Sequence, residues 1–196
     1  PEQVHYVRIE LVNPSGSSYW TPYLEQVRLY GAHTQQRSEL YSVDFSDGFG
    51  SAAAETDNVV VDSDWNSIKV HPAFGHCVRL SAASASTGYV VYDVRKLKPG
   101  GTLEQLTVWC SRASSNSLYP QTGISFSADG STYTPAAVSQ RLLQNENWSD
   151  RWEVQELTAR ELPAGTRYVK LTLQITNPGY LWEAHLLGAD LWISAG

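Results

Sequence analysis

The chain of 196 residues carries 14 Lys and Arg against 20 Asp and Glu, a formal net charge of −6, with 42% apolar and 17% charged residues. That length and apolar share suit one all-β domain with a full core. The acidic balance lacks the concentrated Lys and Arg that nucleic acid or an anionic membrane requires, and no stretch reaches the roughly 20 apolar residues of a spanning helix.

In chain order, Val4–Val12 alternates, with Val7, Ile9 and Leu11 on one face and Tyr6, Arg8 and Glu10 on the other, the period of a half-buried strand. Similar alternation predicts strands over Leu24–Tyr30, Gly88–Val94, Leu103–Ser111, Thr122–Ala128, Trp152–Leu157, Arg167–Ile175 and Leu187–Ser194. Turn clusters separate them, among them Asn13-Pro14-Ser15-Gly16, Lys98-Pro99-Gly100-Gly101 and Asn177-Pro178-Gly179. Ala128-Asp129-Gly130-Ser131 predicts a tight hairpin joining Ile124–Ser127 to Thr132–Ala136. No helical period is sustained, so the pattern reads as an antiparallel β-sandwich. Cys77 and Cys110 both fall in strand-like sequence, which leaves a pair of buried thiols and a disulfide equally open. The chain begins Pro1-Glu2-Gln3 and holds no Met, which predicts a segment cut from a longer secreted protein.

A shift of 162 residues lays Tyr6-Val7-Arg8-Ile9 on Tyr168-Val169-Lys170-Leu171, Leu11 on Leu173, Trp20 on Trp182, Leu24 on Leu186, Leu29 on Leu191 and Tyr30 on Trp192. Each copy reads as strand, tryptophan-bearing loop, strand. Residues 1–31 are therefore expected to be either an extra strand pair of one sandwich spanning 1–196 or the tail of an upstream copy, with 41–196 as the core module.

The chain has seven tryptophans, most of them in polar, turn-like sequence. Indoles presented from wet loops suit the C–H faces of sugar rings, and neighbouring amides and charges suit the hydroxyls. The repeat assigns Trp20, Trp182 and Trp192 to structure, and strand parity does the same for Trp152. Trp65, between Asp64 and Asn66, fits a ligand contact and a turn cap alike. Trp109 shares its parity with Gln105, Thr107 and Ser111, the polar side of Leu106–Ser111. It is read either as a stacking platform or as a ring covered by a neighbouring loop. The loop Arg112–Gln121 brings Arg112, Asn116 and Tyr119; the loop Gln140–Arg151 brings Asn147, Trp148 and Arg151. Each joins an aromatic to amides and a guanidinium, the chemistry that discriminates hydroxyl patterns.

Ile124-Ser125-Phe126-Ser127-Ala128-Asp129-Gly130-Ser131-Thr132-Tyr133 resembles the strand, Ser-x-Asp-Gly, strand hairpin of galactose-binding-like β-sandwiches, the superfamily of discoidin domains and many carbohydrate-binding modules. Pro163–Leu171 is similar to the strand that follows in those modules, Leu187–Ile193 to their closing strand, and Tyr41–Gly50 with Gly88–Val94 to their opening half. The likeness covers most of 41–196. It implies an all-β, jelly-roll-like antiparallel sandwich and a glycan site in apical loops or on the concave sheet face. It also implies, in many relatives, one structural calcium, with Asp190 where some supply a late ligand. The early glutamate pair that would complete such a site has no counterpart here.

No Gly-x-Ser-x-Gly, His-Glu-x-x-His, phosphate-cradling loop or Cys-x-x-Cys occurs, and His5, His33, His71, His76 and His185 show no ligand-like spacing. The expectation is a non-catalytic carbohydrate-binding module that needs no cofactor beyond that calcium. Its ligand would be a polysaccharide or oligosaccharide, and its other partner a linked catalytic domain of a secreted, extracellular bacterial enzyme. Trp109, Tyr119 and Trp148 would stack on sugar rings, and Arg112, Asn116, Asn147 and Arg151 would bind hydroxyls. A glycosidase or lyase domain, drawing on Glu146, Asp150, Glu153 and Glu183, and a protein-binding module are the alternatives.

Overall fold

The computed structural model describes Ile9 and residues 38–63, 74–82, 87–113, 121–146, 152–174 and 184–194; for 112, 113, 121, 144–146, 152, 153 and 184 it describes the backbone alone. The chain divides into two units, Pro1–Ala32 and His33–Gly196. Only the exposed Ile9 of the first unit is described, so the first copy of the repeat and the strands expected at Val4–Val12 and Leu24–Tyr30 lie outside the described residues.

Strands β1 (Ser38–Val43), β2 (Ala53–Asp57), β3 (Val59–Asp62), β4 (Cys77–Leu80) and β5 (Thr87–Asp93) lead to a single short helical turn, α1 (Val94–Leu97). Then follow β6 (Thr102–Ala113), β7 (Gln121–Ser127), β8 (Thr134–Pro135), β9 (Ser139–Glu146), β10 (Trp152–Ala159), β11 (Tyr168–Gln174) and β12 (Ala184–Ser194). They form two antiparallel sheets. One has seven strands, ordered β3-β4-β12-β6-β10-β9 with β1 also on β12; the other has five, ordered β2-β5-β11-β7-β8. The sandwich expected from alternation is present.

The core between the sheets takes every second residue of the central strands. Val90 and Tyr92 of β5, Ile124 and Phe126 of β7, and Val169, Leu171 and Leu173 of β11 face Leu106, Val108 and Cys110 of β6 and Leu186, Ala189, Leu191 and Ile193 of β12. Two bulges set this facing. Leu186 pairs with Cys110 and Gly188 with Trp109, leaving Leu187 as the extra residue; Trp192 pairs with Gln105 and Ile193 with Leu103, leaving Glu104. Each bulge resets the period, so Leu186 and Ala189, three apart, both face the core, as do Leu103 and Leu106. A third bulge lies on the terminal strand β9: Val154 pairs with Gln144 and Gln155 with Leu142, so Leu143 has no opposite number.

The segment 139–146, expected as loop, is a strand, because the Gln140–Gln144 stretch completes the hydrogen bonding of β10 rather than burying a face; Leu142 and Leu143 are 51% and 41% exposed. The hairpin at Asp129-Gly130 forms as expected, with Phe126 opposite Thr134 and Gly130 at φ 81°. Gly88 is required by close approach: an added Cβ would meet Asn58 O and Leu80 Cδ2 at 2.7 Å and Val59 Cγ1 at 2.8 Å. The Gly88→Ala variant is expected to lose about 1–3 kcal/mol of stability, measured by urea unfolding, because backbone as well as side chains must shift to admit the methyl group.

Candidate functional site

The expected polar side of β6 is not a solvent face. Thr107 and Ser111 are 8% and 2% exposed. Over this outer face of the seven-stranded sheet lies a second, small apolar cluster of Cys77, Val154 and Leu187, against which Phe74 and Trp109 pack half-buried. The rings of Phe74 and Trp109 sit 6.2 Å apart at 40°. Gly188 opposes Trp109 across β12, and a Cβ there would come within 3.6 Å of Trp109 Cε3 and 3.8 Å of Phe74 Cε1, so the glycine leaves room for both rings. The opposite neighbour is Glu156, which takes an ion pair from Arg141 at 2.9 Å. Polar parity alone missed this because the cover comes from β4, β10 and β12, far along the chain.

His185 is fully buried on the same face, and its Nδ1 lies 3.1 Å from Ser111 Oγ. Burial, with Arg79 nearby, pushes its imidazole down to about 4. The two cysteines form no disulfide and lie on opposite faces of one sheet, Cys77 in the outer cluster and Cys110 in the core. Burial, with Asp62 adding to it, pushes the Cys77 thiol up to about 12.

Of the other residues expected to bind, Arg112 is placed by its backbone, opposite Glu153 and Ala184 at the end of β6. Asn116, Tyr119, Asn147, Trp148 and Arg151 lie outside the described residues, as do Trp20, Trp65 and Trp182. Their flanking strand ends are described. Trp152 pairs with both Ala113 and Glu146, so the described strand ends next to 114–120 and 147–151 are neighbours in the sheet. Trp192 is half-buried on the outer face, opposite Leu40 and Gln105. Asp190 accepts a hydrogen bond from Ser42 Oγ at 2.6 Å. No group of three or more His, Cys, Asp or Glu side chains that could hold a metal occurs among the described residues.

A constellation that the tryptophan-led reading passed over occupies the outer face of the five-stranded sheet. Tyr168, Lys170 and Thr172 of β11 point away from the core taken by Val169, Leu171 and Leu173. Register places Lys170 between Val91 and Ser125, and Thr172 between Tyr89 and Gly123. Lys170 Nζ stands 3.5 Å from the centroid of the Tyr89 ring and 5.1 Å from that of Tyr133, the residue that returns from the Asp-Gly hairpin. The Tyr89 hydroxyl donates to Glu55, and that bond, with some burial, pushes the phenol up to about 12. Further along, the guanidinium carbons of Arg167 and Arg95 lie 5.1 Å and 5.8 Å from the centre of the Tyr168 ring. Arg95 also forks onto Asp93 at 3.1 and 2.8 Å. Strand parity was the available signal: Tyr168, Lys170 and Thr172 share one face of a strand whose other face is wholly aliphatic.

An adjoining pocket is lined by Ser127, Asp129, Thr132, Thr134 and Thr166. Its polar groups already serve the turn. Asp129 accepts from the backbone N–H groups of Thr132 and Ser131 at 2.9 and 2.8 Å and from Ser127 Oγ at 2.9 Å, which holds its carboxyl well below the usual range.

No family model matches the sequence, and a search of curated proteins finds no significant match.

Two outcomes follow from the covered face. His185 is neutral in the fold and titrates near 6.5 when unfolded, so between about pH 6.5 and 4 the unfolded chain binds the extra proton. Stability is therefore complete above that window and falls as pH drops through it, by at most about 1.4 kcal/mol per pH unit. His185→Gln should flatten that part of a urea-midpoint profile against pH. Separately, a thiol reagent at neutral pH should leave both cysteines of the native protein unmodified and titrate both once denaturant opens the fold, since a buried, protonated thiol is no nucleophile.

Proposed function

We propose that this chain is a non-catalytic carbohydrate-binding module of the galactose-binding-like, jelly-roll type, carried by a secreted polysaccharide-degrading enzyme. By holding the polymer it raises the effective concentration of a linked catalytic domain at its substrate. The observation that carries this reading is the outer face of the five-stranded sheet. There the rings of Tyr89 and Tyr133 converge on Lys170 beside the hydroxyls of Ser125 and Thr172, and exposed Gly123 leaves open ground between strands.

Partly exposed rings supply stacking surface for C–H-rich sugar faces. The ammonium, hydroxyls and Glu55 carboxylate supply the donors and acceptors that fix orientation. A rigid sheet holds these groups without ordering loops on binding. Few contacts on a wet, open surface give weak affinity, in the micromolar to millimolar range. Tyr119 and Trp148, with Arg112, Asn116, Asn147 and Arg151, extend the proposal to a second, loop-borne contact with the glycan.

Affinity electrophoresis against neutral and acidic polysaccharides tests the proposal. Tyr133→Ala should lose most of the retardation with an unchanged melting temperature, while Trp109→Ala should lower the melting temperature first. If Trp148→Ala abolishes retardation and Tyr133→Ala does not, the site belongs to segment 147–151. If no polysaccharide retards the protein, the module reading fails, and accumulation of reducing ends or unsaturated products would make the chain an enzyme.

A further inference from the structure

We infer that the glycan taken by the five-stranded face carries an isolated carboxylate, as a uronic acid within an otherwise neutral chain does, and that Lys170 is its anchor. This rests on the glycan-binding reading above and names its substrate class.

Lys170 presents three N–H donors, yet among the described residues its Nζ meets only the ring faces of Tyr89 and Tyr133, with no hydrogen-bond acceptor and no carboxylate in ion-pair range. The neighbouring charges are otherwise engaged. Arg95 is forked onto Asp93, and Arg167 Nε lies 3.8 Å from the same carboxylate. Lys96 Nζ donates to Ala53 O at 2.8 Å. Glu55, on the neighbouring strand β2, takes the Tyr89 hydroxyl. Among the described residues Lys170 is thus the cation on this face whose charged group has neither a hydrogen-bond acceptor nor a carboxylate within ion-pair range.

The chemistry of that group follows from what the ammonium gives up. A half-buried ammonium surrenders strongly bound water to take a ligand, and a sugar hydroxyl merely replaces that water with an equal. A carboxylate returns the same charge-assisted hydrogen bonds and adds the attraction of an opposite charge, which a neutral hydroxyl lacks. A uronic acid also projects its carboxylate from the edge of its ring, so the sugar can lie on Tyr133 while its acid reaches Nζ, 5.1 Å from that ring's centre.

The rest of the face limits how much negative charge is welcome. Asp57 is paired with Tyr89 in register, Glu55 adjoins it, and Asp129 stands at the hairpin, on a chain of net charge −6. One unfilled cation among several carboxylates fits one acid group per bound segment and repels a dense polyanion. The acidic composition that disfavours polyanions is therefore compatible with a sparsely charged glycan.

The deciding experiment uses one polymer in two forms: glucuronoxylan, whose carboxylates are sparse, and the same polymer after its carboxyl groups are reduced to alcohols. Retardation by the native polymer, lost by at least about tenfold in affinity after reduction, is the expected result. Lys170→Met should reproduce that loss with an unchanged melting temperature, Lys170→Arg should retain binding, and polygalacturonate should bind more weakly than glucuronoxylan. Equal retardation by both forms, or by a neutral polymer alone, overturns the carboxylate inference while leaving glycan binding intact. Loss on reduction with Lys170→Met still binding overturns the anchor. Absence of retardation by any polysaccharide removes the glycan reading and this inference with it.

Discussion

Strand β12 is the seam on which the fold depends. Over eleven residues it hydrogen-bonds β6 along one side and β1, then β4, along the other, so its backbone joins four strands of the larger sheet. Leu186, Leu191 and Ile193 are fully buried and Ala189 nearly so, and their contacts reach strands of the opposite sheet. Because its partners β1, β4 and β6 lie far back in the sequence, a large share of the sandwich is non-local. Its pairing has to recruit β1 and β6 from far along the sequence, which is the kind of topology in which loop closure precedes reward.

The bulges of this seam explain the contrast between the two outer faces. At Leu187 the parity resets, sending one leucine outward to join Cys77 and Val154 in the small outer cluster and placing Gly188 beneath the indole of Trp109. The larger sheet therefore has apolar packing on both sides, and His185 is neutralised there by burial. Among the described residues the smaller sheet meets no such cover. Its outward tyrosines and Lys170 are steadied by one another and by Glu55, through cation–π contacts and one phenol–carboxylate bond, and remain partly open. One sheet stabilises the molecule; the other presents chemistry.

How legible this was depended on the period. Uninterrupted alternation marked β5, β7 and β11 to within a residue or two, and the Asp-Gly turn marked the hairpin between β7 and β8; β10 was also marked, although its Val154 and Leu157 lie on opposite faces. The segments β2, β3 and β9 are short or mostly polar, and pairing with a neighbour, rather than a buried face of their own, makes them strands; β4 buries Val78 and Leu80 in the core but is only four residues long, too short to show a period. Trp109 shows the other limit. Its polar companions Thr107 and Ser111 imply solvent, but Phe74, Cys77, Val154 and Leu187 roof that face from distant segments. The candidate site was legible and passed over, since Tyr168, Lys170 and Thr172 alternate with Val169, Leu171 and Leu173 in plain view. What no linear pattern revealed is that Tyr89, more than eighty positions before Thr172, stands beside it across two strands.

The single extra residue at Leu143 has a consequence for the molecule in a crowd. Strand β9 ends its sheet, and Leu142 and Leu143, half-exposed, would make a flat edge there adhesive. The bulge interrupts the row of amides and carbonyls and twists it, while Arg141 beside the leucines adds charge. A second copy finds no straight ladder to continue. Molecules gathered densely on one surface can then stay side by side as individuals instead of zipping into fibres.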